Sequence, residues 1–252
     1  MSIRLFRAQE MAVAMGPAAY PEPGVLLARL ARLVGESVPA EGASGDAFLQ
    51  RLAGRLGLQT YDLFLVADAP IPDHALLFDE SARLHIVRLI ERALRLSASG
   101  RGRLREHVRS LPRHTDALAP RKERSWESYP PGYGSLLMRM LELRNMNWTL
   151  AVKARYLTYG GMVLSASTIG AVARCVRPLD IDTINGFAAI LGVPASVIAC
   201  LMGMPDTVAT YRPPEEIVET ARLLWDVRQL TERQMGQVSA LAQELCHEGD
   251  GG

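Results

Sequence analysis

Leu164-Ser-Ala-Ser-Thr-Ile-Gly-Ala-Val-Ala-Arg-Cys-Val-Arg-Pro178 is the stretch around which the chain reads. Ser165 stands where a hydroxyl accepts from the free N–H groups of the following turn, so a helix starts after it. Ile169, Val172 and Val176 recur at i, i+3 and i+7 and predict one narrow apolar stripe. The opposite face then carries Ser167, Gly170, Ala171 and Arg174, small side chains with a single cation. A helix with so slight an outer face can lie deep in a groove of nucleic acid. A small amphipathic helix in an all-helical core has the same pattern, so the neighbours decide.

The chain has 252 residues, room for one large domain or two ordinary ones, and its 48% hydrophobic content is ample for a core. A net charge of +1 gives no global electrostatic argument for nucleic acid or membrane. Cys175, Cys200 and Cys246 form neither a CxxC pair nor a metal spacing and read as buried thiols in a reducing cytoplasm. The early charges of Met1 to Glu10 do not fit a signal peptide. Thr183 to Pro205 has no charged residue and is long enough to span a bilayer. Gly192-Val-Pro194 reads better as one helix ending and another beginning, so no membrane span is expected.

An internal repeat organises the chain. Gly24-Val-Leu-Leu-Ala-Arg-Leu30 resembles Gly134-Ser-Leu-Leu-Met-Arg-Met140, each after a Tyr-Pro lead-in. Leu52 to Leu58 resembles Phe187 to Val193, and Arg88 to Leu111 resembles Arg222 to Leu245. The first block recurs at an offset of 110 and the others at 135 and 134, so the second copy holds about 25 extra residues around Asn147 to Pro178. The expected organisation is a first copy over 1–111, a basic Pro/Gly linker over 112–134, a second copy over 135–212 and a C-terminal helix pair over 213–252. The copies are expected to form two lobes.

Periodicity and caps predict an all-α chain. In the first copy helices are expected at Val25 to Val34, Asp46 to Leu56, Thr60 to Asp68, Ala82 to Leu96 and from Ser97. Leu84, Val87, Ile90, Ala93 and Leu94 share the predicted inner side of the fourth. In the second copy they are expected at Ser135 to Asn145, Leu150 to Leu157 (capped by Thr149), the opening stretch, a helix capped by Asp180 or Asp182, and Pro194 to Met202. Glu215 to Arg228 and a last helix behind the capping box Thr231-x-x-Gln234 close the chain. Arg101 to Arg124 holds eight Arg/Lys against three acids, whereas Glu215 to Asp250 has eight acids against three bases. The basic run reads as a solvated hinge or as a surface for phosphates.

Asn147-Trp-Thr149, Ala154, Leu164 to Ile169, Arg174, Pro178, Asp182-Thr-Ile184 and Leu191-Gly-Val193 resemble the XRE-type (Cro and lambda-repressor-like) helix-turn-helix domain. The surrounding layout resembles actinobacterial regulators, and the likeness covers about Ser135 to Met204. The resemblance implies a five-helix DNA-binding domain whose third helix enters the major groove. By position it places Ala166, Ser167, Thr168 and Ala171 at base edges and Thr149, Lys153, Arg174 and Arg177 at phosphates. The chain departs from the pattern in the extra residues between Ala154 and Leu164 and in Cys175, where the family has glycine. Both bear on the angle between the two helices. The first copy lacks the recognition segment, so it is a degenerate repeat.

No catalytic constellation stands out. The histidines His74, His85, His107, His114 and His247 are scattered, without HExxH or a Cys partner. There is no Walker glycine loop and no GxSxG elbow. No enzyme activity, cofactor or metal is expected. The leading expectation is a cytoplasmic transcriptional regulator that binds double-stranded DNA, as a homodimer because one chain carries one recognition helix. The alternative is a helical protein–protein adaptor on a helix-turn-helix scaffold that no longer binds DNA.

Overall fold

The computed structural model describes residues 20–39, 45–113, 119–120, 129–161, 163–205 and 208–250. Most of the expected linker, including His114, and the first 19 residues lie outside them. The chain is all-α. Among the described residues there are twelve α-helices and a single antiparallel pair of two-residue strands, Leu77–Phe78 with Ala119–Pro120.

The helices are α1 (Pro23–Leu33), α2 (Asp46–Leu56), α3 (Thr60–Val66), α4 (Ile86–Arg95), α5 (Ala98–Ser110) and α6 (Tyr133–Glu142). They continue as α7 (Trp148–Thr158), α8 (Ala166–Ala173), α9 (Ile181–Leu191), α10 (Ala195–Leu201), α11 (Glu215–Val227) and α12 (Glu232–Asp250). Their ends follow local chemistry. Ser97, Ser165 and Asp180 each accept from a backbone N–H of the first turn of α5, α8 and α9. Gly57 and Gly192 end α2 and α9 in the left-handed region, at φ 75° and 72°. Thr231 and Gln234 exchange hydrogen bonds as a capping box before α12. Thr183 to Pro205 is indeed a bent pair, α9 and α10 at 118°, and no single described helix is long and apolar enough to cross a membrane.

The described residues do not form the two lobes expected from the repeat reading. Apolar side chains from 1–111, 135–212 and 213–252 join one core: Leu30, Leu52, Leu63 and Leu89 with Leu141, Ile184, Phe187, Leu224 and Leu230. α1 packs on α10, and α3 packs on α6. α11 and α12 pack on α4 and α5. Arg29 of α1 clamps the first contact, donating to the Leu201 carbonyl (2.7 Å) and to the Tyr133 hydroxyl (3.0 Å).

Between α3 and α6 lies a buried ion pair. Arg144, just past α6, donates from both terminal nitrogens to the two carboxylate oxygens of Asp62, each at 2.8 Å. Both side chains are fully buried, at 1% and 0% exposure. Arg144 also donates to the Met140 carbonyl, and Asp62 accepts from the Gln59 N–H that opens α3. The Trp225 ring of α11 lies 5.3 Å from the guanidinium.

Three details differ from the periodicity reading. Leu84 is 76% exposed, because Ser81–His85 winds as a 3-10 helix and α4 starts only at Ile86. Asn147, not Thr149, caps α7, so that helix starts at Trp148. The basic run is no solvated hinge at its start: Arg101 pairs with Glu219, Arg105 and Arg109 with Asp226, and Arg103 with Glu248. Residues 101–110 are helix α5, held against the acidic C-terminal pair.

Asp62→Ala leaves the Arg144 charge buried and alone, and is expected to cost about 3–5 kcal/mol in urea unfolding. Arg103→Ala, at an exposed pair, should cost less than about 1 kcal/mol. Equal effects would show that the buried pair holds nothing together.

Candidate nucleic-acid interface

The segment from Asn147 to Asp180 is built on close backbone approaches. On α7 the Asn147 carboxamide oxygen accepts from the Leu150 N–H at 3.0 Å. Thr149, relieved of capping, is exposed and stands in one exposed row with Lys153 and Tyr156, at i, i+4 and i+7. The chain then reverses through Gly160 and Gly161, at φ 76° and 75°, conformations that glycine takes without steric cost. Tyr159 holds the base of the loop, edge-on to Tyr211 with ring centroids 5.0 Å apart. Its hydroxyl accepts from the Asn185 amide at 3.1 Å.

α8 begins where the sequence indicates. Ser165 Oγ accepts from the Thr168 N–H at 3.1 Å and lies 2.7 Å from Ser167 Oγ and 2.9 Å from Thr168 Oγ1. Ile169, Val172 and Ala173 are buried. The predicted stripe is nevertheless wrong at its end: Val176 is 76% exposed. α8 stops at Ala173 and Cys175 turns left-handed at φ 56°, so the helical period no longer applies at 176. Cys175 thus takes a backbone conformation that glycine favours, and it is exposed rather than a buried thiol. Cys200 and Cys246 are half-buried.

Gly170 does not belong to the outer face either. It is buried against the Trp148 indole, where a Cβ would sit 3.3 Å from the ring. Arg174, one turn on, lies over the same indole, 5.8 Å from its centroid. On the other side, Gly134 of α6 lies so close to α8 that a Cβ would overlap the Val172 carbonyl. Gly132 is seated in the same way against Cys175. α8 is therefore wedged between α6 and α7. Behind it, buried Arg155 of α7 pairs with Asp182 at the start of α9 and covers Gly186.

The side chains expected at base edges fall into two groups. Ala166 and Ser167 are exposed, whereas Thr168 and Ala171 are half-buried. Of the residues expected at phosphates, Thr149, Lys153, Arg174 and Arg177 are all exposed. Arg177 approaches Asp180 at 3.7 Å, and both are about half exposed. From 148 to 180 the exposed charges are Lys153, Arg174 and Arg177 against Asp180, a small positive excess. Trp148, Gly134 and Arg155 were not singled out as site-building residues. Trp148 stands in the helix-turn-helix motif and Gly134 opens a repeat block, but Gly134 and Arg155 act through partners remote in sequence. Among the described residues no three His, Cys, Asp or Glu side chains gather as a metal-ligand group.

No protein-family model, no curated protein and no solved structure matches the chain.

Gly134→Ala should force α6 from α8 and cost about 1–3 kcal/mol in thermal or urea unfolding. Gly54→Ala, in mid-α2 with open space around it, should instead raise stability by about 0.4–1 kcal/mol. A neutral Gly134→Ala would mean that α8 is not seated by this contact.

Proposed function

We propose that the chain is a DNA-binding transcriptional regulator, without enzyme activity, that reads double-stranded DNA with an XRE-like helix-turn-helix. In this reading α6 to α10 are the five helices of a lambda-repressor-like domain and α8 is the recognition helix. The observation that carries it is the surface of α7 and α8. Small and hydroxyl-bearing side chains at Ala166 and Ser167 are flanked by exposed Thr149, Lys153, Arg174 and Arg177. Serine and threonine hydroxyls bond either base type, and alanine methyls suit thymine methyls. No Arg, Asn or Gln stands at the proposed base-facing positions, so sequence preference rests on DNA shape and half-site spacing.

The degenerate-repeat reading draws support from the helices themselves. α2 and α9 are both 11 residues long, and α3 and α10 are both seven. The contact of α1 with α10 has its counterpart in α6 with α3, and that of α4 with α12 in α11 with α5. Among its described residues the first copy has nothing matching α7 and α8, so in this reading one chain offers one reading helix. We therefore propose that the chain acts as a homodimer on paired half-sites. The apolar faces Leu26 to Leu30 and Leu89 to Ala93 are covered within the chain, so the dimer forms through another surface.

A second reading, a protein–protein adaptor, is favoured by one observation. Tyr156, Val163 and Val176, at 53%, 66% and 76% exposure, surround α8 in sequence.

Selection of bound duplexes from a random pool with the purified chain should enrich DNA. The double variant Arg174→Ala/Arg177→Ala should weaken binding to all sequences alike and reduce the slope of log K against log salt by about 2. Unchanged affinity at low salt would remove both arginines from the interface, and absence of binding by the unaltered chain would favour the adaptor. Molar mass in solution should be that of a dimer when DNA is bound, and a monomer on DNA would refute the paired-site reading.

A further inference from the structure

A cleft of about 300 Å³ opens between the N-terminal ends of α2 and α3 and the C-terminal end of α11, away from the residues assigned to DNA. Its apolar wall is aromatic. Tyr61 meets Phe64 edge-on at 5.6 Å and Trp225 at 6.2 Å. Its cation is Arg228, whose guanidinium lies 3.8 Å from the Trp225 ring centroid and is held there by a bond from Nη1 to the Trp225 carbonyl at 3.1 Å. Arg228 Nε is buried and has no hydrogen-bond partner.

The carboxylates around Arg228 are committed elsewhere. Asp226 binds Arg105 and Arg109, and Asp62 binds Arg144. Asp46, at the start of α2, lines the cleft but makes no ion pair with Arg228 among the described residues. Burial, with Arg113 and Arg144 close by, pushes the Arg228 pKa down to about 10. A guanidinium stacked 3.8 Å from an indole centroid, with an idle Nε donor and no ion pair among the described residues, is arranged for an incoming anion.

We propose that this cleft binds a small aromatic carboxylate, its ring against Tyr61, Phe64 and Trp225 and its carboxylate on Arg228. The volume suits one ring or two fused rings rather than a nucleotide. This inference stands independently of the DNA-binding reading.

The test is calorimetric titration of the full chain with 3-phenylpropionate and with its neutral amide. The acid should bind about tenfold or more tightly than the amide, and at a hundredfold excess over Kd it should raise the Tm by about 5 °C. Arg228→Gln should abolish the preference for the acid. Gln50→Trp, a change at an exposed helix position on the cleft wall, should block both probes while leaving the unliganded fold unchanged. Equal binding of acid and amide, acid binding unaltered in Arg228→Gln or Gln50→Trp, or no binding at millimolar concentration would each overturn the proposal.

Discussion

The bidentate pair between Asp62 and Arg144 is the constraint to which the rest of the fold answers. Removing both charges from water costs several kcal/mol, and only good geometry with further hydrogen bonds offsets it. The offset here comes from two 2.8 Å bonds between the partners, another from Arg144 to the Met140 carbonyl, and one from the Gln59 N–H to Asp62, while Arg144 Nε is left without a partner. The pair fixes the end of α6 against α3, and Trp225 brings α11 over it. α6 in turn carries Gly134, against which α8 is seated. The position of the proposed reading helix thus depends on a charge pair whose other member, Asp62, lies 82 residues earlier in the chain.

Charge is distributed by pairing rather than by composition. The arginines of α5 face the acids of α11 and α12, which neutralises what reads in sequence as a basic tract. The cations left exposed around α8 are few, and a net charge of +1 conceals them. The electrostatic attraction available to the proposed DNA-binding reading is accordingly local and modest.

Local signals in the sequence were sufficient for most helix ends, though not for the starts of α4 and α7. Ser97, Ser165, Asp180, Gly192 and the Thr231 capping box act as their chemistry requires, because a cap involves only the next turn. Periodicity failed at Leu84 and Val176, where a 3-10 turn and a left-handed residue break the helical count. The partners of Arg101, Arg144 and Arg155 could not be read, because each lies many residues away. The opposite charges of the basic run and the C-terminal tail were a visible sign of the α5 pairing, although the run was read as a free surface. The proposed phosphate-facing residues are exposed on α7 and just past the end of α8, but Gly170 is hidden beneath Trp148.

Hydrogen–deuterium exchange of the full chain, with and without a saturating random-sequence duplex at low salt, tests the DNA-binding reading most directly. Backbone amides in α7, residues 159–161 and 163–165, and α8 should gain protection, with α5 unchanged because its arginines are already paired. Protection centred on α5 and the following basic residues, or no change around α8, would contradict the account.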